Sequence, residues 1–175
     1  PDAKILYPGK DDFKPANRQE LFQQIKNNNW DCVILTHDQF SKIPQSLDIQ
    51  KEIMEDEIQD VEEALEVLKN SGMGYTGRAL EKGLEKRIEN MTVKLNTIME
   101  DIKLRKDDTV DFRSTGIDHI FVDESHQFKN LMFSTRHNRV AGLGNPDGSQ
   151  RALNLYFAIR DIQKRTGRDL GATFL

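Results

Sequence analysis

The run Ile120-Phe121-Val122-Asp123-Glu124-Ser125-His126, continuing Gln127-Phe128-Lys129-Asn130, holds the residues best placed for chemistry. Three apolar residues that read as a buried strand deliver two adjacent carboxylates and a histidine to the strand's carboxyl end, where open α/β sheets place their ligands. Phosphoryl transfer from a nucleoside triphosphate needs such a pair. One acid holds Mg²⁺, usually through water, and the other orients or deprotonates the attacking water. An acidic pair after a strand can also be a helix N-cap, because a carboxylate accepts the unpaired N–H groups of a first turn. The apolar run before the pair, His126 three residues after Asp123, and Lys129-Asn130 behind it favour the chemical reading.

The string DESHQFKN resembles the DExH box of superfamily 2 helicases, and its FKN extension is similar to the RLKN or RIKN that follows the box in Swi/Snf-type DNA translocases. That resemblance implies ATP and Mg²⁺ as cofactors and DNA as the partner. It implies that Asp123 holds the cation of MgATP, that Glu124 activates the hydrolytic water, and that His126 links the nucleotide site to the DNA-contacting motifs. Upstream, Trp30-Asp31-Cys32-Val33-Ile34-Leu35-Thr36-His37 resembles the strand and turn that reach the tracked nucleic-acid strand in the same families. Those families commonly end this strand in Thr-Tyr. Here it ends in Thr36 followed by His37, so the implied nucleic-acid contacts are Thr36, at a backbone phosphate, and His37, which departs from the pattern. A hydroxyl at a strand's end is as readily a local cap.

Lys129, Arg136, His137 and Arg139, interleaved with Phe128 and Phe133, have the composition of a surface that tracks a phosphate backbone, or equally of a solvated loop. The phrases WDCVILTHDQFSKIP and FVDESHQFKNL look like a phage, plasmid and conjugative-element subgroup that joins a helicase core to an adenine-specific DNA methyltransferase module. The resemblance thus implies a remaining helicase lobe and a methyltransferase module as partners within one polypeptide.

The phosphate-cradling pattern G-x-x-x-x-G-K-[ST] occurs nowhere in these residues, and Gly142-Leu143-Gly144 lacks the glycine and lysine that would complete it. In the resembled families that loop lies before the segment matching Ala3–Tyr7, and Leu170–Leu175 resembles the strand leading into the next motif. The expectation is a fragment covering the middle of a first RecA-like lobe, inactive alone. Two other classes fit the residues. One is a protein-interaction module whose helical hairpin docks a partner and whose acidic pair is structural. The other is a metal-dependent nuclease using Asp123, Glu124 and His126.

The expected fold class is α/β: part of a RecA-like parallel sheet with flanking helices, interrupted by an antiparallel helical hairpin of coiled-coil type. Ala3–Tyr7 reads as a strand closed by Pro8-Gly9, Arg18–Asn27 as a short amphipathic helix, and Asp31–Thr36 as a strand buried on both faces. Residues 1–46 form the first part of the lobe. From 47 to 105 the pattern turns helical: Met54, Ile58, Val61, Leu65 and Leu68, then Leu84, Ile88, Met91, Leu95, Ile98 and Ile102, alternate spacings of three and four. The glycine-rich break Asn70–Gly77 reverses the chain. Residues 106–175 complete the lobe, with Gly116–Asp123 as its third strand, Ser149 capping a helix over Arg151–Arg165, and Leu170–Leu175 as a fourth strand.

Bulk properties narrow the class. The 175 residues are 37% hydrophobic and 31% charged, ordinary for a globular protein. A net charge of −4 gives no global attraction to nucleic acid, so such contact needs a local basic patch. The lone cysteine, Cys32, excludes an internal disulfide and reads as a small buried hydrophobe. No segment reads as a membrane span or signal peptide, so the expected location is the cytoplasm, with no membrane partner.

Overall fold

The computed structural model describes residues 2–70, 75–104, 110–129, 131 and 149–175. The element order is β1 (Ile5–Leu6), α1 (Arg18–Asn27), β2 (Cys32–Val33), α2 (His37–Phe40), α3 (Leu47–Asn70), α4 (Tyr75–Leu104), β3 (Ile120–Val122), α5 (Gln150–Thr166) and β4 (Ala172–Phe174). Short 3-10 turns lie at Arg113–Thr115 and Ser125–Phe128. The chain divides into two compact units, Pro1–Ser46 with Lys106–Gln127 and Asn154–Leu175, and Leu47–Arg105 with Phe128–Leu153.

The first unit is built on two parallel pairs. β1 pairs with β2, Ile5 opposite Cys32 and Leu6 opposite Val33. β3 pairs with β4, Ile120 opposite Ala172, Phe121 opposite Thr173 and Val122 opposite Phe174. Its core gathers Phe13, Leu21, Phe22, Ile25, Ile43, Val110, Phe112, Ala158 and Ile162 from chain segments far apart in sequence. In α1, Leu21, Phe22 and Ile25 form the buried stripe that the helical spacing predicts. That helix stops where the Gln24 carbonyl accepts from the Asn28 backbone N–H, Asn28 Nδ2 and Trp30 Nε1.

Helix α5 starts where Ser149 Oγ accepts from the Ala152 N–H at 3.4 Å and ends at Gly167, whose φ of +64° is a left-handed cap that favours glycine. Beyond it, a Cβ on Gly171 would stand 3.0 Å from the Ile159 carbonyl oxygen, so glycine lets the chain entering β4 lie against α5. Within α5, Asp161 is 2% exposed and pairs with Arg165 at 3.1 Å and with Arg113 at 3.9 Å. Arg165 also donates to the Ile117 carbonyl, which ties the approach to β3 onto α5. A buried carboxylate requires such partners.

Several strand expectations need correction. The apolar run Asp31–Thr36 makes only a two-residue strand, Cys32 is exposed, and Val33 and Leu35 are half-buried. Gly116–Asp123 contributes three strand residues, not eight. The common cause is sheet size: among the described residues each sheet has two strands, so apolar side chains suited to a covered sheet stay in solvent. Phe121 is 72% exposed, and Ile5, Ile34 and Phe174 are also open.

In the second unit α3 packs on α4. The three-four spacing is realised: Met54, Val61 and Leu65 of α3 and Met91 and Ile98 of α4 are buried, and Ile58, Leu68, Leu84, Ile88, Leu95 and Ile102 are half-buried. Val67 and Val93, off the seam, are exposed. Lys69 and Glu85 form an ion pair at 3.1 Å. Lys94 is half-buried, its ammonium 3.4 Å from Gln150 Oε1, and burial holds its pKa below the usual lysine value.

A lysine with a depressed folded-state pKa penalises folding at every pH below that value, and the penalty fades as pH rises into the ordinary lysine range near 10.4. Lys94→Met is therefore expected to raise the thermal midpoint at pH 7, with an advantage over the parent that shrinks as the pH is raised. A midpoint lowered at pH 7, or a pH-independent difference, would contradict this.

No described helix is long and apolar enough to cross a membrane.

Candidate active site

β3 carries Val122, 4% exposed, directly into Asp123 and Glu124, both exposed. The strand is held on β4 past its last residue, because Leu175 N–H donates to the Val122 carbonyl at 2.9 Å. The chain then turns sharply. Glu124 N–H donates to Asp123 Oδ1 at 2.8 Å, Glu124 adopts a left-handed φ of +53°, and Gln127 N–H donates to the Glu124 carbonyl at 2.9 Å as the 3-10 turn begins. Glu124 is the only non-glycine with positive φ among the described residues. Such a conformation costs an L-residue about 1–2 kcal/mol, and outliers of this kind concentrate at functional sites.

His126 folds back on this turn. Its Nδ1 lies 3.0 Å from Glu124 Oε2, and Gln127 Nε2 lies 2.9 Å from its Nε2. An amide nitrogen can only donate, so His126 Nε2 accepts and Nδ1 carries the hydrogen that it donates to Glu124. The imidazole thus orients the carboxylate from within the same turn.

A second segment reaches the same turn. His37 Nε2 donates to the Asp123 carbonyl at 3.0 Å across a separation of 86 residues. His37 begins α2, a short helical turn at the place where the sequence suggests a turn after the strand ending at Thr36. Thr36-His37-Asp38-Gln39 is a capping box: Thr36 Oγ1 accepts from the Gln39 N–H at 3.2 Å, and Gln39 Oε1 accepts from the Thr36 N–H at 2.8 Å. The Thr-x-x-Gln spacing was the signal available for it. Buried Gln39 also donates through Nε2 to the Pro8 carbonyl at 3.1 Å, so α2 is fastened to the exit of β1 as well as to that of β3. One acceptor position of Thr36 is taken up by the cap, and the hydroxyl hydrogen can still be donated.

Of the residues expected to act, Asp123, Glu124, His126 and His37 come together at one turn, with Thr36 beside it. Lys129 is exposed just beyond the 3-10 turn. Arg136 and Arg139, with His137 and Asn130, lie outside the described residues. Sequence reasoning passed over His119, whose Nε2 lies 2.9 Å from Thr173 Oγ1 and whose ring tilts against Phe121 at 4.8 Å.

The donor set suits a hard cation held by one carboxylate. No group of three or more His, Cys, Asp or Glu that could hold a metal occurs among the described residues. Mg²⁺ keeps most of its waters and takes one or two carboxylates together with substrate phosphates, so a single Asp123 carboxylate fits it better than an all-protein cage does.

The sequence model of a family described as "Probable helicase domain" matches residues 1–175. The chain belongs to this probable helicase domain family. No curated protein and no solved structure matches it. Membership accords with a helicase domain whose acidic pair, at the carboxyl end of a parallel strand, is braced by histidines from two segments.

Proposed function

We propose that this helicase domain is the middle part of a RecA-like lobe of a superfamily 2, Swi/Snf-like DNA translocase, which hydrolyses MgATP to step along DNA. The observation that carries the reading is the turn at Asp123-Glu124, an acidic pair at a strand exit, held open by a left-handed residue and braced by His126 and His37. Asp123 would hold Mg²⁺, which supplies charge neutralisation at the phosphates, and Glu124 would orient the attacking water with His126 fixing its carboxylate. Open apolar strand residues such as Ile5, Phe121 and Phe174 support further strands or helices of the same lobe completing the sheets. Lys129, Arg136 and Arg139 would meet DNA phosphates, with Thr36 at the strand exit. A methyltransferase module in the same cytoplasmic polypeptide belongs to the same proposal.

The test is ATP hydrolysis by the intact protein with and without DNA. DNA is expected to stimulate hydrolysis, and the isolated 175 residues are expected to show none, because the phosphate-cradling pattern that would hold the transferring group does not occur in them. An intact protein that does not hydrolyse ATP, or does so at a rate indifferent to DNA, would refute the reading.

A further inference from the structure

We infer that His37 is a positioning residue for Glu124, acting through the peptide group between Asp123 and Glu124. This inference rests on the proposed ATPase reading and assigns His37 a duty other than touching nucleic acid. The peptide is gripped at both ends. Its carbonyl oxygen accepts from His37 Nε2 at 3.0 Å, and its N–H donates to Asp123 Oδ1 at 2.8 Å. The orientation of that plane sets φ of Glu124, which stands at +53°.

Left alone, a glutamate relaxes to negative φ, which would swing its carboxylate away from His126 Nδ1. The Asp123 side chain cannot prevent this by itself, because it belongs to the same turn and would move with it. His37 can, because it is anchored elsewhere: the capping box fixes the start of α2, and buried Gln39 bonds the Pro8 carbonyl. The histidine therefore transfers the rigidity of the β1 exit to the β3 exit, and only the hydrogen on Nε2 is needed for it.

The chemistry dictates the test. A glutamine at position 37 carries its amide nitrogen where the imidazole carries Nε2, whereas an asparagine carries it where the imidazole carries Nδ1, and phenylalanine keeps the ring without a donor. In the intact protein His37→Asn and His37→Phe are expected to lower kcat for ATP about tenfold to a hundredfold, the range a misplacement of about 1 Å produces. KM for ATP should be unchanged, since the phosphates are not what His37 orients, and His37→Gln should recover most of the turnover.

Hydrogen exchange in the peptide containing Gln127, whose N–H bonds the Glu124 carbonyl, should quicken in the Asn and Phe variants and not in Gln. Equal kcat in all three variants, or a loss in Gln as deep as in Asn and Phe, overturns the inference. Glu124→Gln run alongside separates the two failures. If it loses hydrolysis while the His37 variants do not, only the positioning role is wrong. Should it retain hydrolysis, the ATPase reading and this inference both fall.

Discussion

Glu124→Gln in the intact protein is expected to slow ATP hydrolysis by roughly 10²- to 10⁴-fold, the contribution typical of a positioned acid or base, while the melting temperature stays near that of the parent. Glutamine keeps the side-chain length and an oxygen for the His126 hydrogen bond, yet it cannot take a proton from water. Stability should be insensitive because Glu124 is exposed and its contact with His126 is a surface pair, worth about 0–1 kcal/mol.

The same position makes a second demand, which separates chemistry from strain. Glu124→Ala removes the acid but keeps a Cβ at a φ of +53°, whereas Glu124→Gly removes both the acid and the clash. At an ordinary loop site glycine is less stable than alanine by about 0.4–1 kcal/mol, because it frees the unfolded chain. Relief of about 1–2 kcal/mol of left-handed strain should reverse that order and leave the Gly variant more stable than the Ala variant by about 1 kcal/mol. Denaturant melts of the two variants decide it. If alanine proves the more stable, the turn is not strained, and the bracing by His37 and Asp123 loses its purpose.

What the sequence disclosed follows from which interactions are local. Helix α1 was legible because Leu21, Phe22 and Ile25 fall on one face within two turns, and the three-four alternation from Met54 to Ile102 marks positions that the structure buries or half-buries. The turn that joins the acidic pair to His126 was legible because the strand, the carboxylates and His126 lie within seven consecutive residues. Strand extent was not. Asp31–Thr36 and Gly116–Asp123 have the composition of covered strands, but strand length and burial depend on neighbours that pair alongside, and each described sheet holds only two strands. That is why Cys32, read as a buried small hydrophobe, lies in solvent.

The His37 contact was illegible for a related reason, since nothing near either residue records a hydrogen bond spanning 86 positions. The local half of that device, the Thr36–Gln39 capping box, was written in the sequence, where a local cap is one of the two readings of Thr36, but Gln39 as its partner was passed over. The periodic pattern also says nothing about Asp161, a charged residue on an apolar helix face. Its burial becomes intelligible only once Arg165 and Arg113 are seen beside it.

The largest stability effect is expected at Phe112, in the core of the first unit. Its side chain is 1% exposed, its ring meets Phe40 edge-to-face at 6.1 Å and 77°, and its N–H donates to the Pro44 carbonyl at 2.7 Å. The cluster around it draws on α1, on the segment after α2 and on α5, so its walls belong to separate stretches of chain that cannot easily collapse together. Phe112→Ala should therefore leave a cavity and cost about 3–5 kcal/mol, much of the 5–15 kcal/mol that holds a typical domain together. Leu170→Ala, at a position 74% exposed, should change stability by less than about 0.5 kcal/mol and serves as the control. Because Phe40 closes α2, the helical turn that starts with His37, loosening Phe112 should reach the acidic turn at Asp123-Glu124 as well. ATP turnover in Phe112→Ala is expected to fail at temperatures where the Leu170 control still works. A destabilisation below about 1 kcal/mol in urea melts would show that Phe112 is not a keystone of this core, and the link from core packing through Phe40 to His37 would fall with it.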